Sequence, residues 1–140
     1  MTDVALILHK LRRLREHVAL VRERRPASPG VLATDLVVRD ALALALLVAT
    51  QEAVDIAYHV AADSGWGVPK SHGDAVELLA KNGVLGASTA TGVTGVAKMR
   101  NRIAHGYASV DHERLWAELP QGLDALEAFA REVAAWLPPG

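Results

Sequence analysis

Apolar residues recur every three or four positions along most of this chain, which is the spacing of one face of an α-helix. The pattern predicts five helices and no strand. The predicted helices span residues 2–25, 31–63, 71–82, 88–105 and 111–137. We therefore expect an all-α protein, an antiparallel helical bundle in which residues 1–140 form a single domain.

Turn and cap residues mark the expected ends of these helices. Residues 26–30, which include two prolines and a glycine, separate the first helix from the second. Ser71 is the predicted N-cap of the third helix, and Asp111 is that of the fifth. Gly106 is placed to adopt the left-handed conformation after the end of the fourth helix. Pro120 is expected to kink or split the fifth helix.

Two helices carry further information about packing. The second is apolar nearly all round between Ala41 and Ala49, so it is predicted to be the central, buried helix. The fourth contains Gly92 and Gly95, which lower its helix propensity but permit a close approach to a neighbouring helix.

Composition limits the class of protein. Hydrophobic residues make up 51% of the chain but aromatic residues only 4%, so the core is built from Ala, Leu and Val. Cysteine is absent, which excludes disulfides and thiolate metal sites and favours a reducing cytoplasm. Residues 1–3 lack the layout of a signal peptide, and the longest wholly apolar run is nine residues, too short to cross a bilayer. We expect a cytoplasmic protein without a membrane segment.

The net charge of −1 hides an asymmetry along the chain. Basic residues dominate between residues 9 and 25, and acidic residues dominate between 111 and 132. A basic surface of this kind attracts phosphates, and an acidic one suits a basic partner. The alternative is a pair of solvated helix faces with local ion pairs, such as Arg12 with Glu16.

The strongest chemical signal is the segment 100–107, in which Arg100, His105 and Tyr107 lie close together in sequence. An arginine holds a phosphate through a planar fork of donors, and a histidine transfers protons near neutral pH. Together they supply what RNA cleavage requires without a metal. Residues five apart on a helix differ by about 140° and about 7.5 Å, so Arg100 and His105 converge only at a helix end. Asn101 lies on the same face as His105, where it would orient the ring or bind substrate.

Taken alone, this motif has a simpler interpretation. Arginine and histidine are common at helix C-termini because their charges complement the helix dipole. Four polar residues on the second helix bear on the choice between a catalytic site and a simple helix end. As a polar stripe they would brace Arg100, or they would form an exposed face of the helix. They are Gln51, Glu52, Asp55 and His59. Asp55 and His59 have the spacing of helical metal ligands, but no third ligand is evident and no metal is predicted.

Three segments of the chain resemble the HEPN superfamily, in its HepT-like branch of toxin ribonucleases. Residues 39–57 resemble the central helix of that family, and residues 71–85 resemble its short helix and turn. Residues 99–107, followed by Val110 and Asp111, resemble its signature motif and the cap after it. The resemblance covers roughly residues 1–137.

This resemblance implies a dimeric all-α bundle whose two motifs line a shared cleft. It implies a ribonuclease that needs no metal, with Arg100 and His105 as catalytic residues and Asn101 as the polar residue that often follows the arginine. From the polar stripe on the second helix we expect Glu52 and Asp55 to support them, and no cofactor is predicted. The resemblance also implies a nucleotidyltransferase antitoxin that adenylylates Tyr107. Two alternatives remain: a non-catalytic HEPN partner of a nucleotidyltransferase, and a purely structural dimeric bundle.

Overall fold

A computed structural model describes residues 2–106 and 111–139, with the side chains of residues 104–106 excepted. This part of the chain forms α-helices and contains no strand, as the sequence predicts. The helices are α1 (Val4–Arg24), α2 (Gly30–Thr34), α3 (Leu36–Asp63), α4 (His72–Lys81), α5 (Ala87–Gly106) and α6 (His112–Trp136).

The second predicted helix is in fact two helices, because the chain breaks at Asp35. The backbone of Asp35 is extended, with φ −107° and ψ 99°. Its carboxylate accepts hydrogen bonds from the backbone N–H groups of Val37 and Val38, both at 3.1 Å, so it caps the start of α3. The prediction of one helix over 31–63 was wrong because the apolar spacing continues through the break.

Most of the other predicted helix ends agree with the structure. Ser71 caps α4 and Asp111 caps α6, each by accepting a backbone N–H three residues later. Gly106 differs from the prediction, because α5 includes it instead of ending before it. The discrepancy is one residue, which is the usual scatter at a helix end.

The central helix is α3, which contacts each of the other five helices. One face of α3 carries a row of buried alanines spaced four apart: Ala45, Ala49, Ala53, Ala57 and Ala61. Such a row forms a low ridge against which neighbouring helices pack closely. The opposite side is not covered, since Leu44 is 63% exposed. The prediction of a central helix is confirmed, although it is buried on fewer sides than its composition indicates.

By length and composition, α3 would also be able to cross a bilayer. Its most apolar stretch of 18 residues is 61% buried within the fold, however. A helix whose most apolar stretch is mostly buried against its neighbours is typical of the core of a globular protein.

Pro120 does not split the last helix, because α6 is continuous from His112 to Trp136. Proline has no N–H to donate, so the carbonyl of Trp116 loses its partner within the helix. Arg25 replaces that partner by donating from Nε and Nη2 to the Trp116 oxygen, at 3.2 and 2.9 Å. Its guanidinium also lies 3.9 Å from the centre of the Trp116 ring. The prediction of a kink or split omitted this compensation from α1.

The charge asymmetry along the chain becomes a set of contacts between helices. Arg22 of α1 binds Asp124 at 2.6 Å and Glu127 at 2.8 Å on α6. The hydrogen bond that Arg22 donates to Glu127 raises the pKa of the Arg22 guanidinium further, so its charge is permanent. Part of the basic segment and part of the acidic segment therefore satisfy each other inside one molecule, an arrangement that the sequence analysis did not consider.

The contact between α5 and α6 depends on Gly92. A Cβ atom at this position would lie 2.6 Å from the Cβ of Ala125, so the two helices approach as closely as glycine allows. Glu132 of α6 also accepts hydrogen bonds from the Gly86 N–H at 2.7 Å and from the Thr89 hydroxyl, which holds the start of α5. The predicted close approach is confirmed at Gly92 but not at Gly95, where a Cβ would meet nothing within 4 Å.

These two glycines give opposite predictions for the same substitution. We expect Gly95→Ala to raise the free energy of unfolding by about 0.5–1 kcal/mol, because alanine is the better helix former and the space is open. We expect Gly92→Ala to lower it despite the same gain in propensity, because forcing atoms into a packed contact costs about 1–3 kcal/mol. Urea denaturation of both variants measures the two signs. Equal effects would contradict the close packing of α5 on α6.

Candidate functional site

Arg100 occupies a position on α5 where the helical pattern calls for an apolar residue. It lies four residues after Val96 and three before Ile103, both of which are buried in the core. Its side chain is half-buried. A cation that leaves the helix along the core face requires partners for its donors.

The Arg100 guanidinium is only partly satisfied. Its Nε is buried and has no hydrogen-bond partner among the residues that the structure describes. Its Nη1 donates to the side-chain oxygen of Asn101 at 3.3 Å, a long contact at an exposed position. An unpaired buried donor costs about 1–3 kcal/mol of folding free energy. A contribution to stability therefore does not explain why an arginine occupies this position. Its free donor and positive charge suit an anionic group brought from outside.

The other motif residues are described only in part. Asn101 contacts Arg100, so it steadies the guanidinium. His105 lies in the last turn of α5, but its side chain is outside the described residues, as is Tyr107. The convergence of Arg100 with His105 and Tyr107, and the contact of Asn101 with His105, therefore stay predictions from the sequence.

Glu52 and Asp55 face α1. Glu52 is 8% exposed, and its two oxygens lie 3.4 Å from Nε of Arg13 and 3.6 Å from Nζ of Lys10. Asp55 lies 3.5 Å from Lys10 Nζ and accepts a hydrogen bond from Gln51 at 2.8 Å.

Neither carboxylate is joined to Arg100 by an ion pair or hydrogen bond in the described part of the chain. The predicted bracing of Arg100 is therefore not what the structure shows. The physical reason is the close pairing of α1 with α3, which brings the lysine and arginine of α1 to these acids.

His59 lines a shallow hollow of about 280 Å³ with Asp55 and Tyr58. Across residues 2–103 and 111–139, for which side chains are described, no three His, Asp or Glu residues are grouped so that they would hold a metal ion.

One polar residue near the motif was missed by the sequence analysis. His112 is the first residue of α6, and its Nε2 is buried without a hydrogen-bond partner in the described part of the chain. The signal in the sequence was a second histidine seven residues after His105. The cap signal of Asp111 explains the segment around His112 by itself, so this histidine does not stand out in the sequence.

A groove with a volume of about 630 Å³ runs between α5 and α6, beside the motif. Its basic side chains are Lys98 and Arg102 on α5 and Arg114 on α6. Glu118 joins the two arginines, at 2.8 Å from Arg102 and 2.7 Å from Arg114. The hydrogen bond to Glu118 raises the pKa of the Arg114 guanidinium, which keeps its charge fixed. Sequence analysis missed this groove because it depends on how the two helices pack.

Comparison with known proteins places these observations in context. The sequence profile of the family described as Ribonuclease HepT-like matches residues 7–133. No curated protein matches the sequence of this chain.

Three solved structures are similar in fold. One is a tri-AMPylated HEPN toxin of Shewanella oneidensis in complex with an MNT antitoxin, with a TM-score of 0.84 and 21% identity over 96% of this chain and 99% of the other. Another is a mutant of the toxin–antitoxin MntA-HpeT, with a TM-score of 0.83 and 19% identity over 92% and 98%. The third is YutE of Bacillus subtilis, a cytosolic protein of unknown function, with a TM-score of 0.82 and 16% identity over 99% and 96%.

The unpaired donor of Arg100 leads to a prediction about stability. We expect Arg100→Met to keep or raise the free energy of unfolding, by up to about 1 kcal/mol, because it removes a buried N–H without a partner. Methionine is flexible and apolar and suits the core face. Thermal and urea denaturation provide the measurement.

Arg102→Met is the matched control, since this arginine is paired with Glu118 and is expected to lose a little stability. If Arg100→Met lost more than Arg102→Met, Arg100 would be a structural residue.

Proposed function

The chain belongs to the ribonuclease HepT-like family, and from this premise we propose that it is the toxin of a toxin–antitoxin pair and a metal-independent endoribonuclease. The single observation that best supports an active site is Arg100. It places a permanent cation with a buried, unpaired donor two turns or less from the histidine of the motif. We propose that the missing acceptor is a phosphate oxygen of RNA.

The proposed reaction is attack of an RNA 2′-hydroxyl on the adjacent phosphate. The 2′-oxygen gives its proton to a general base and forms a bond to phosphorus. The bond from phosphorus to the 5′-oxygen then breaks, and that oxygen takes a proton from a general acid. The products are a 2′,3′-cyclic phosphate and a free 5′-hydroxyl. His105 acts as one of the two proton-transfer groups, and Arg100 stabilises the charge on the phosphoryl oxygens.

The reaction needs a second proton-transfer group. We propose that a two-fold dimer brings two copies of the motif to one cleft, so that the second copy supplies its own His105. This arrangement is supported by the exposure of Asn101 and Arg102 near the end of α5, a surface that another copy would contact. It also explains how a motif with one histidine provides the two proton-transfer groups that the reaction needs.

The proposed partner is a nucleotidyltransferase antitoxin. The Shewanella oneidensis relative is AMPylated and bound to its antitoxin, and this chain carries Tyr107 two residues after His105. We propose that the Tyr107 oxygen attacks the α-phosphate of ATP, loses its proton and displaces pyrophosphate. The resulting anionic AMP group lies beside Arg100 and His105 and excludes an RNA phosphate by bulk and by repulsion. Both partners are proposed to act in the cytoplasm.

The catalytic role of His105 is tested by cleavage of total tRNA and mRNA in EDTA. We expect the unaltered protein to cut RNA and His105→Ala to lose at least a hundredfold in rate, since a general acid or base contributes about 10²–10⁴. His9→Ala is the matched control, because His9 is exposed on α1, away from the motif. Full activity of a folded His105→Ala variant would contradict the catalytic role of His105. If the unaltered, unmodified protein cut no RNA, the result would favour the alternative, a non-catalytic partner of the nucleotidyltransferase.

The modification site is tested by Tyr107→Phe. Phenylalanine keeps the ring but has no oxygen to accept AMP, so we expect RNA cleavage to continue and antitoxin-dependent AMPylation to disappear. Intact-mass spectrometry after incubation with antitoxin and ATP measures the second effect. Tyr58→Phe, at a half-buried position on α3, serves as the control. An unchanged mass shift in Tyr107→Phe would place the acceptor elsewhere.

A further inference from the structure

We propose that the groove between α5 and α6 binds the RNA strand that leads to the motif, with its phosphates on Lys98, Arg102 and Arg114. This inference rests on the proposed ribonuclease function and adds to it the surface that holds the substrate. It assigns a role to residues outside the Arg100 and His105 motif.

The position of the groove connects it to the motif. Its wall on α5 extends from Ala87 to Arg102, which corresponds to about 22 Å along the helix axis. Arg102 belongs to the motif segment itself, so the groove reaches the turn of α5 that carries the motif. A strand lying in it runs along α5 toward the C-terminal end of this helix, where His105 lies.

The charges of the groove suit a polyanion. Three cations face one carboxylate, that of Glu118. This carboxylate holds Arg102 and Arg114 in fixed positions on the two walls, while each guanidinium keeps other N–H donors for a ligand. Lys98 is exposed and makes no hydrogen bond or ion pair to the described residues. Fixed guanidinium groups and an unpaired ammonium are a common arrangement for phosphate contacts.

The base of the groove contains a glycine that the fold does not require. Gly95 lies in the middle of α5, where glycine costs about 1 kcal/mol relative to alanine. Gly92 is explained by the contact with Ala125, but a Cβ at Gly95 would meet nothing within 4 Å. A glycine without a packing role permits the backbone of a ligand to approach closely. We assign that ligand as the ribose–phosphate chain.

The lining favours RNA over a protein partner. Protein interfaces have an apolar centre, with large side chains that become buried. The exposed large apolar side chains of the described residues lie elsewhere, with Val37 and Leu44 of α3 among the most exposed. The groove instead combines small residues such as Ser88 and Thr91 with the basic side chains, and its large apolar residues Val96 and Met99 are buried in the core.

The test uses Gly95→Leu, which fills the groove at a position where the fold leaves space. Binding of a single-stranded RNA oligonucleotide is measured by fluorescence anisotropy in the His105→Ala background, and cleavage is measured with His105 intact. We expect Gly95→Leu to weaken RNA binding roughly tenfold. Gly30→Leu is the matched control, since a Cβ at Gly30 also meets nothing within 4 Å and Gly30 is on α2. Its RNA affinity is expected to be unchanged.

Lys98→Gln supplies a second readout that does not depend on filling space. The loss of one phosphate contact to single-stranded RNA is expected to reduce the slope of log affinity against log salt by about 0.7. Arg24→Gln, at an exposed position on α1, is the control and should leave the slope unchanged.

The outcomes separate the inference from the proposed function. If the unaltered protein cleaves RNA while Gly95→Leu and Lys98→Gln bind and cut it normally, the groove proposal is wrong and the ribonuclease proposal stands. If Gly95→Leu changes only the oligomeric state or antitoxin binding, the groove is a protein interface and the proposal is also wrong. If the unaltered protein neither binds nor cuts RNA, both proposals fail.

Discussion

The structure depends on close approach between helices that carry few large side chains. With aromatic residues at 4% of the chain, the core excludes water only if the helices come near to one another. The row of alanines on α3 and the contact of Gly92 with Ala125 provide this closeness. The second contact sets the distance between α5 and α6. It therefore fixes both the groove between them and the helix that ends in the motif.

Much of this fold follows from the sequence, because apolar spacing and caps such as Ser71 are local signals. The failures have two causes: a contact between distant residues at Pro120, and a local cap at Asp35 that the continuous apolar spacing conceals. Pro120 was predicted to kink or split α6, but the helix is not split, and Arg25 supplies the missing donor from α1. Asp35 was overlooked as a cap, since the apolar pattern on either side of it is continuous.

The candidate site likewise has a part that the sequence predicts and a part that depends on how the helices pack. The Arg100 and His105 motif is contiguous and was found from the sequence, whereas the partners of Glu52 depend on how α1 packs on α3. The groove was also beyond prediction, because its walls come from two helices. Arg100 and Gly95 both break local rules on α5, the first by burying an unpaired donor and the second by weakening a helix. Such departures concentrate where a protein meets its ligand.

The pairing of basic residues of α1 with acids of α3 and α6 has a consequence for the speed of encounter. These ion pairs neutralise charges that would otherwise form a broad positive surface, and the net charge is −1. Without a strong long-range field, diffusing polyanions are not drawn in from a distance, and association occurs at the ordinary rate of about 10⁵–10⁶ M⁻¹s⁻¹. For the RNA substrate that we propose, discrimination then depends on how long each molecule stays bound, so fit at short range determines which molecules are held.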